Sequence, residues 1–211
     1  MDRVIQEFEK NKYSYVENIL SPEVTNFCYN YFILKGCTNR NFSDGESDIV
    51  GKYDHKYLMG CHSDLVGETL LSQMEPIICS ISKKNLIASY SYTRLYITGE
   101  ELKPHLDRPS CQYSITLNLG GDSWPINFGV FDEDCDSDIF VDDRKVRKIN
   151  SIVMSPGSGI VYRGEELIHW RNPLDADHCV QTFLHYVDAD DEKYKEHKYD
   201  GRKNIGYKPF F

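Results

Sequence analysis

From Leu86 onward no stretch of this chain keeps apolar residues at helical spacing. Short runs rich in β-branched and aromatic residues follow one another instead: LIASYSYTRLYI from residue 86, then Tyr113–Leu119, Ile126–Phe131, Lys148–Met154, Ile160–Tyr162, Leu167–Trp170 and Val180–Val187. Gly99, Gly120-Gly121, Pro156-Gly157-Ser158-Gly159 and Asn172-Pro173 supply turn chemistry between them. Strands this short bury their apolar faces only by pairing and stacking, which predicts a β-sandwich or jelly roll.

The first part of the chain reads differently. A strand-like run over 13–20 precedes Ser21-Pro22-Glu23, which offers an N-cap, a proline at the first helical position and an acid in the first turn. Val24, Phe27, Cys28, Tyr31 and Phe32 follow at helical spacing, with Gly36 as the expected stop. Residues 65–83 form a second helical region, where Pro76 is expected to start a new helix or kink this one. Asp188 to Lys203 reads as a charged tail, a polar helix or loop. No repeat or linker divides the chain. The prediction is one α+β domain over 1–211: helical support mainly in 1–85, a jelly-roll core over about 86–190, and the charged tail.

Charge and cysteine usage narrow the partners. A net charge of −9 without a basic block argues against gripping nucleic acid phosphates. No stretch approaches the roughly 18 apolar residues of a membrane span, and the charged N-terminus lacks the apolar core of a secretion signal. Seven scattered cysteines without a CxxC suit free thiols in a reducing, cytoplasmic setting. The acidic run Asp132–Asp143 lacks the spacing and glycine of a calcium loop and reads as a solvated hairpin.

The chemistry concentrates in Lys103-Pro104-His105-Leu106-Asp107-Arg108 and, far downstream, Glu166-Leu167-Ile168-His169-Trp170-Arg171. Residues two apart in a strand share a face, so His105 and Asp107 can grip one ion together. His169 from another strand completes a facial triad of two imidazoles and one carboxylate. That set suits non-haem Fe(II) and leaves positions open for oxygen and a cosubstrate. Zinc bound by such ligands usually comes with a HExxH helix, and none occurs. A second HxD, His62-Ser63-Asp64, stands just before a helical region with no strand leading into it, and is expected to be a surface or loop pair. Of the other C-terminal histidines, His178 falls in a polar turn and is expected to be exposed. His185, inside a strand, is either a satisfied core residue or part of a substrate pocket.

The stretch from Arg94 to Asp107 resembles the Y-x-x-G-x-x-(apolar)-x-x-H-x-D segment of the prolyl-hydroxylase-like 2-oxoglutarate/Fe(II) dioxygenases. The run Pro156-Gly-Ser-Gly-Ile-Val-Tyr to His169 is similar to their glycine turn and the strand leading to the distal histidine. Phe183-Leu-His-Tyr-Val-Asp-Ala-Asp-Asp resembles their last core strand, and Tyr15–Tyr31 their opening strand and helix. The resemblance spans most of the chain, and its motifs are short. It implies a double-stranded β-helix, Fe(II) on His105, Asp107 and His169, and coupled oxidation of 2-oxoglutarate to succinate and carbon dioxide. The implied substrate is a prolyl or other residue in a protein. A small metabolite, a different cosubstrate on the same triad, or a jelly-roll binding module that merely retains a metal are the alternatives.

One departure stands out. Most relatives hold the far carboxylate of 2-oxoglutarate with an Arg or Lys in a window that here reads Asp177-His178-Cys179-Val180-Gln181, and Cys179 takes the anchor position. Arg171, two residues beyond His169, is the favoured replacement, because it shares the interior face if the strand continues. Arg94, two before Tyr96, is the second candidate, and Arg163 is expected outside. Tyr96 is the expected hydroxyl donor to the same carboxylate.

Overall fold

A computed structural model describes residues 1–41 and 59–206. In chain order the elements are α1 (Asp2–Asn11), β1 (Tyr13–Val16), α2 (Pro22–Asn41), β2 (Met59–His62) and α3 (Leu65–Ser82), then β3 (Leu86–Ile97), β4 (Leu102–His105), β5 (Tyr113–Gly121), β6 (Ile126–Phe131), β7 (Phe140–Val141), β8 (Arg144–Ile152), β9 (Gly159–Tyr162), β10 (Ile168–Arg171) and β11 (His178–Asp188). A six-stranded sheet runs β1-β9-β5-β11-β3-β2 and a five-stranded sheet runs β4-β10-β6-β8-β7. The pairs are antiparallel. From β3 to β6, and again from β8 to β11, each strand crosses to the opposite sheet, which gives the jelly roll expected from the sequence.

The helices cover the outer face of the larger sheet. Phe8, Leu71, Met74, Ile78 and Ile81 pack in one cluster with Ala88, Ile115, Leu117, Val161, Leu184 and Tyr186. β3 and β11 are therefore buried on both faces and read as nearly continuous apolar runs. The smaller sheet is buried on both faces at β10, where Ile168 and Trp170 pack with Val141 and Val146, and turns to solvent mainly along β8. In β8 only Val146 is fully buried, and its charged neighbours explain why the sequence places that strand later than it lies.

Other boundaries move for physical reasons. Ser21 Oγ accepts from Val24 N at 3.4 Å, as the cap predicts, but α2 runs through Gly36, which is buried on its inner side. α3 passes through Pro76 as one helix, because Met74, Ile78 and Ile81 hold it on the sheet on both sides of the proline. α1 goes unpredicted although Val4 and Phe8 lie one helical turn apart and both pack on the core; β2 carries too little apolar pattern to be predicted. The charged tail forms 3-10 turns within Glu192–Gly201, broken by a kink at Lys198–Asp200, and is locked down beyond it by a buried ion pair, Arg202 Nη1 to Glu68 Oε2 at 2.9 Å. All seven cysteines are free thiols. Among the described residues no helix is long and apolar enough to cross a membrane.

Candidate metal centre

β4 and β10 are neighbours in the smaller sheet, and their register sets His105 directly opposite His169. The two rings sit 4.4 Å apart, centroid to centroid. Each Nδ1 lies against a backbone carbonyl, His105 on Lys103 O at 2.7 Å and His169 on Leu167 O at 2.9 Å. A proton on Nδ1 leaves each Nε2 lone pair free to face an ion, the usual device for orienting a metal-binding imidazole.

Asp107 reaches the same point by a different route from the one expected. β4 ends at His105, so Asp107 does not share a strand face with it; a turn delivers the carboxylate. Asp107 N donates to Gly164 O at 2.9 Å. A side chain at 164 could not fit, because its Cβ would stand 2.3 Å from Asp107 Oδ2. Asp107 Oδ1 then lies 3.4 Å from His105 Nε2 and 3.5 Å from His169 Nε2. Ligand atoms of the three residues fall within 4.8 Å of one another, close enough for one ion. Burial opposes charge on Asp107, but His169 and His105 outweigh it and hold the carboxyl well below its usual range. Burial likewise lowers the His105 pKa, and Asp107 overcomes it, for a net rise.

The larger sheet closes the other side. Tyr90, Tyr92, Arg94 and Tyr96 alternate inward along β3, and in register with them stand His185, Phe183, Gln181 and Cys179 of β11. A cavity of about 170 Å³ lies between the four β3 residues, Phe183 and His185 on one side and the three candidate ligands on the other. Tyr162 packs edge-on to His169 at 4.8 Å, and Ser114 Oγ stands 3.4 Å from Asp107 Oδ2. Neither was singled out in the sequence, although period-2 alternation from buried Ile160 points Tyr162 inward.

The expected cosubstrate residues separate here. Arg171 is only 1% exposed. Its Nη1 donates to the Trp124 carbonyl and its Nη2 to Gln181 Oε1 at 3.3 Å, while Nε has no partner. Among the described residues no carboxylate pairs with it, and burial lowers its pKa. Arg94 lines the cavity itself but already pairs with Glu100 at 3.2 Å, over the Tyr96 ring. Tyr96 is buried, which pushes its hydroxyl up to about 12. Arg163 pairs with Glu166 near the surface, as expected. Cys179 is buried, and its thiol takes a contact from Gln181 Nε2 at 3.0 Å.

The remaining histidines correct or resolve the sequence reading. His178 is half-buried, not exposed, with Nε2 2.7 Å from the Tyr29 hydroxyl. His185 is both satisfied and cavity-lining: Nδ1 meets Ser114 Oγ at 2.8 Å, and burial lowers its pKa to about 4, so the ring is neutral. His62 is the last residue of β2, stacked on Tyr90 at 4.5 Å, and Asp64 is buried. The expectation of a surface pair without a strand fails on both residues.

No protein-family model matches the chain, and no curated protein matches it by sequence. Solved structures do match by fold. The non-haem α-ketoglutarate-dependent epimerase SnoN from nogalamycin biosynthesis aligns with a TM-score of 0.62 and 12% identity, over 89% of this chain and 83% of its own. A prolyl-4-hydroxylase from Pseudomonas putida aligns at 0.55 and 12% identity, over 89% and 99%. EctD from S. alaskensis, solved with 2-oxoglutarate and 5-hydroxyectoine, aligns at 0.59 and 12% identity, over 89% and 76%. The jelly roll of this chain is thus a fold that 2-oxoglutarate-dependent enzymes use.

Proposed function

We propose that this chain is a 2-oxoglutarate- and O₂-dependent hydroxylase with a non-haem Fe(II) centre. The observation that carries the reading is the convergence of two Nε2 atoms and one carboxylate on a single point that faces a cavity. His105, Asp107 and His169 would hold the iron and leave its remaining positions open. Iron and 2-oxoglutarate together would supply the oxidising power, with succinate and carbon dioxide as coproducts. The chain's own task is to fix the ligand tautomers, bind the far carboxylate and keep water from the reacting centre.

Arg171 fits the carboxylate role. A buried guanidinium with no acid beside it is costly unless an anion arrives. It stands two strand residues from His169, about 6–7 Å along the strand, a span suited to a five-carbon dicarboxylate that chelates at its other end. Arg94 is the weaker candidate because Glu100 already neutralises it. The cavity shares Arg94, Leu102 and His105 with an adjoining open cleft of about 550 Å³. That open mouth supports a substrate presented from outside, a prolyl or other residue in a protein.

The deciding experiment is anaerobic addition of Fe(II) and then 2-oxoglutarate, followed by visible absorbance. The expected result is the weak charge-transfer band of an iron–2-oxoacid chelate, lost in His169→Ala. Arg171→Ala should keep iron and weaken 2-oxoglutarate about 100-fold or more, while Arg171→Lys recovers part of it. No band, with no 2-oxoglutarate binding by calorimetry at millimolar levels, transfers the triad to a different cosubstrate. Succinate release stimulated by a small-metabolite panel but by no peptide would overturn the protein-substrate reading.

A further inference from the structure

Asp107 makes its closest approach to both triad histidines through Oδ1. Its other oxygen, Oδ2, lies 3.4 Å from Ser114 Oγ, and the same hydroxyl meets His185 Nδ1 at 2.8 Å. The carboxylate therefore has a second side, and Cys111 borders it. One donor atom each from Asp107, Cys111 and His185 falls within 4.8 Å of the others. Both new members are fixed and buried, Cys111 at 2% exposure and His185 at 5%. Cys111 closes a 3-10 turn through its N–H to Arg108 O at 2.8 Å, and its sulfur rests 3.1 Å from the Tyr90 hydroxyl. The iron reading uses neither residue.

We propose that Asp107, Cys111 and His185 form a second metal position, suited to a thiophilic divalent cation of the Zn²⁺ or Co²⁺ class, which shares the Asp107 carboxylate with the first. Metal–ligand bonds of about 2.0–2.3 Å let one ion bridge donors at these separations with small side-chain adjustments. Exchanging one imidazole for a thiolate changes the preference of the set: two nitrogens and an oxygen suit Fe(II), whereas sulfur, nitrogen and oxygen favour softer ions. Binding displaces the thiol proton to solvent, and the imidazole and carboxylate need not change protonation. Two dications drawing on one carboxylate repel each other, so the positions are antagonistic. A thiophilic ion at the second position weakens Fe(II) at the first, which makes the centre sensitive to which metal reaches it. This inference rests on the shared aspartate and not on the identity of the cosubstrate.

The test is a titration of metal-free, fully reduced protein with Co²⁺ under anaerobic conditions, read by near-ultraviolet thiolate-to-cobalt charge transfer and by stoichiometry. Wild type should bind two ions and develop the thiolate band. Cys111→Ser and His185→Gln should each bind one ion and lack the band while still binding Fe(II), and having two variants guards against one failing to fold. His169→Ala should lose iron and keep the band. Zn²⁺ also competes for the first position, so the antagonism is read as a difference: Zn²⁺ preloading should weaken Fe(II) about tenfold more in wild type than in Cys111→Ser, within the usual range of coupling between sites. Absence of a thiolate band at saturating Co²⁺ overturns the proposal, as does a band that survives in both variants. If the band disappears together with iron in His169→Ala, the sulfur belongs to the first centre and no second position exists. A missing 2-oxoglutarate chelate band beside an intact thiolate band would sink the cosubstrate reading and leave this one standing.

Discussion

The chain contains the same three-residue pattern twice, and the fold gives the two copies different work. His62-Ser63-Asp64 and His105-Leu106-Asp107 each place the histidine at the last residue of a short strand, β2 and β4. In the second copy the carboxylate turns back to meet its own histidine at 3.4 Å and the opposing His169 at 3.5 Å. In the first the carboxylate turns away. Asp64 caps α3 by accepting from Val66 N at 2.8 Å, and its other oxygen takes Lys35 and the Tyr31 hydroxyl. Burial lowers the Lys35 pKa, and Asp64 more than reverses it, so the pair holds firmly. His62 is left to stack on Tyr90 and pair with Asp200 at 3.4 Å. The pattern alone names an oxygen and a nitrogen; what they bind depends on whether the neighbouring strand brings a third donor.

The largest effects should separate the copies outright. His105→Ala, Asp107→Ala and His169→Ala should each lower Fe(II) affinity by more than the ~10–100-fold typical of losing an outer-shell partner, to the point that no iron survives desalting. His62→Ala should retain it in full. Metal analysis after anaerobic reconstitution decides this. Full iron in His169→Ala, or its loss in His62→Ala, would erase the distinction.

The reverse dissociation is expected at Asp64. Asp64→Ala removes a helix cap worth about 1 kcal/mol and leaves Lys35, mostly buried, without its acid. Breaking a buried pair costs roughly 3–5 kcal/mol. A loss of about 4 kcal/mol, or roughly 8–16 °C in Tm for a domain of this size, should appear in thermal unfolding of the metal-free protein. Iron affinity at the temperature where the variant is folded should match wild type. Asp64→Asn, which keeps the cap oxygen but not the charge, should fall between them.

How much of this contrast the sequence displays depends on the element involved. The jelly roll is legible because glycine and proline turns cut β-rich runs at short intervals, and the choice of His169 follows from its place one strand after the Pro156–Gly159 turn. The reason the sequence offers for setting His62 aside does not hold. Met59-Gly-Cys-His has almost no β-branched character and gains its strand only by pairing with β3. Asp64 looks like a surface acid because nothing local reveals that Lys35 and Tyr31, a helix away, will cover it. The displaced carboxylate of Asp107 is equally hidden: the turn that carries it depends on Gly164, distant in sequence. Arg171 is the opposite case. Its inward direction follows from strand period alone, but its lack of an acid partner is a property of the assembled barrel.

The smallest effect should arise where the two copies meet. Asp200, from the C-terminal 3-10 segment, accepts from Arg108 through both carboxylate oxygens at 2.8 and 2.9 Å and also pairs with His62. Arg108 follows Asp107 directly and lies over Tyr90 at 4.6 Å, so one carboxylate links the stack on His62 to the segment that carries the proposed iron ligand Asp107. The link is partly wet: the Arg108 side chain is half exposed, and solvent screens such pairs to under about 1 kcal/mol. Asp200→Asn should therefore weaken Fe(II) less than about fivefold and shift Tm by only a few degrees. Salt distinguishes the cause. An electrostatic link predicts that the small difference from wild type shrinks as ionic strength rises toward 1 M, where the screening length falls to about 3 Å. A loss of iron affinity as large as that of a ligand substitution would instead make Asp200 part of the centre, and the first copy of the motif would then act on iron through the second.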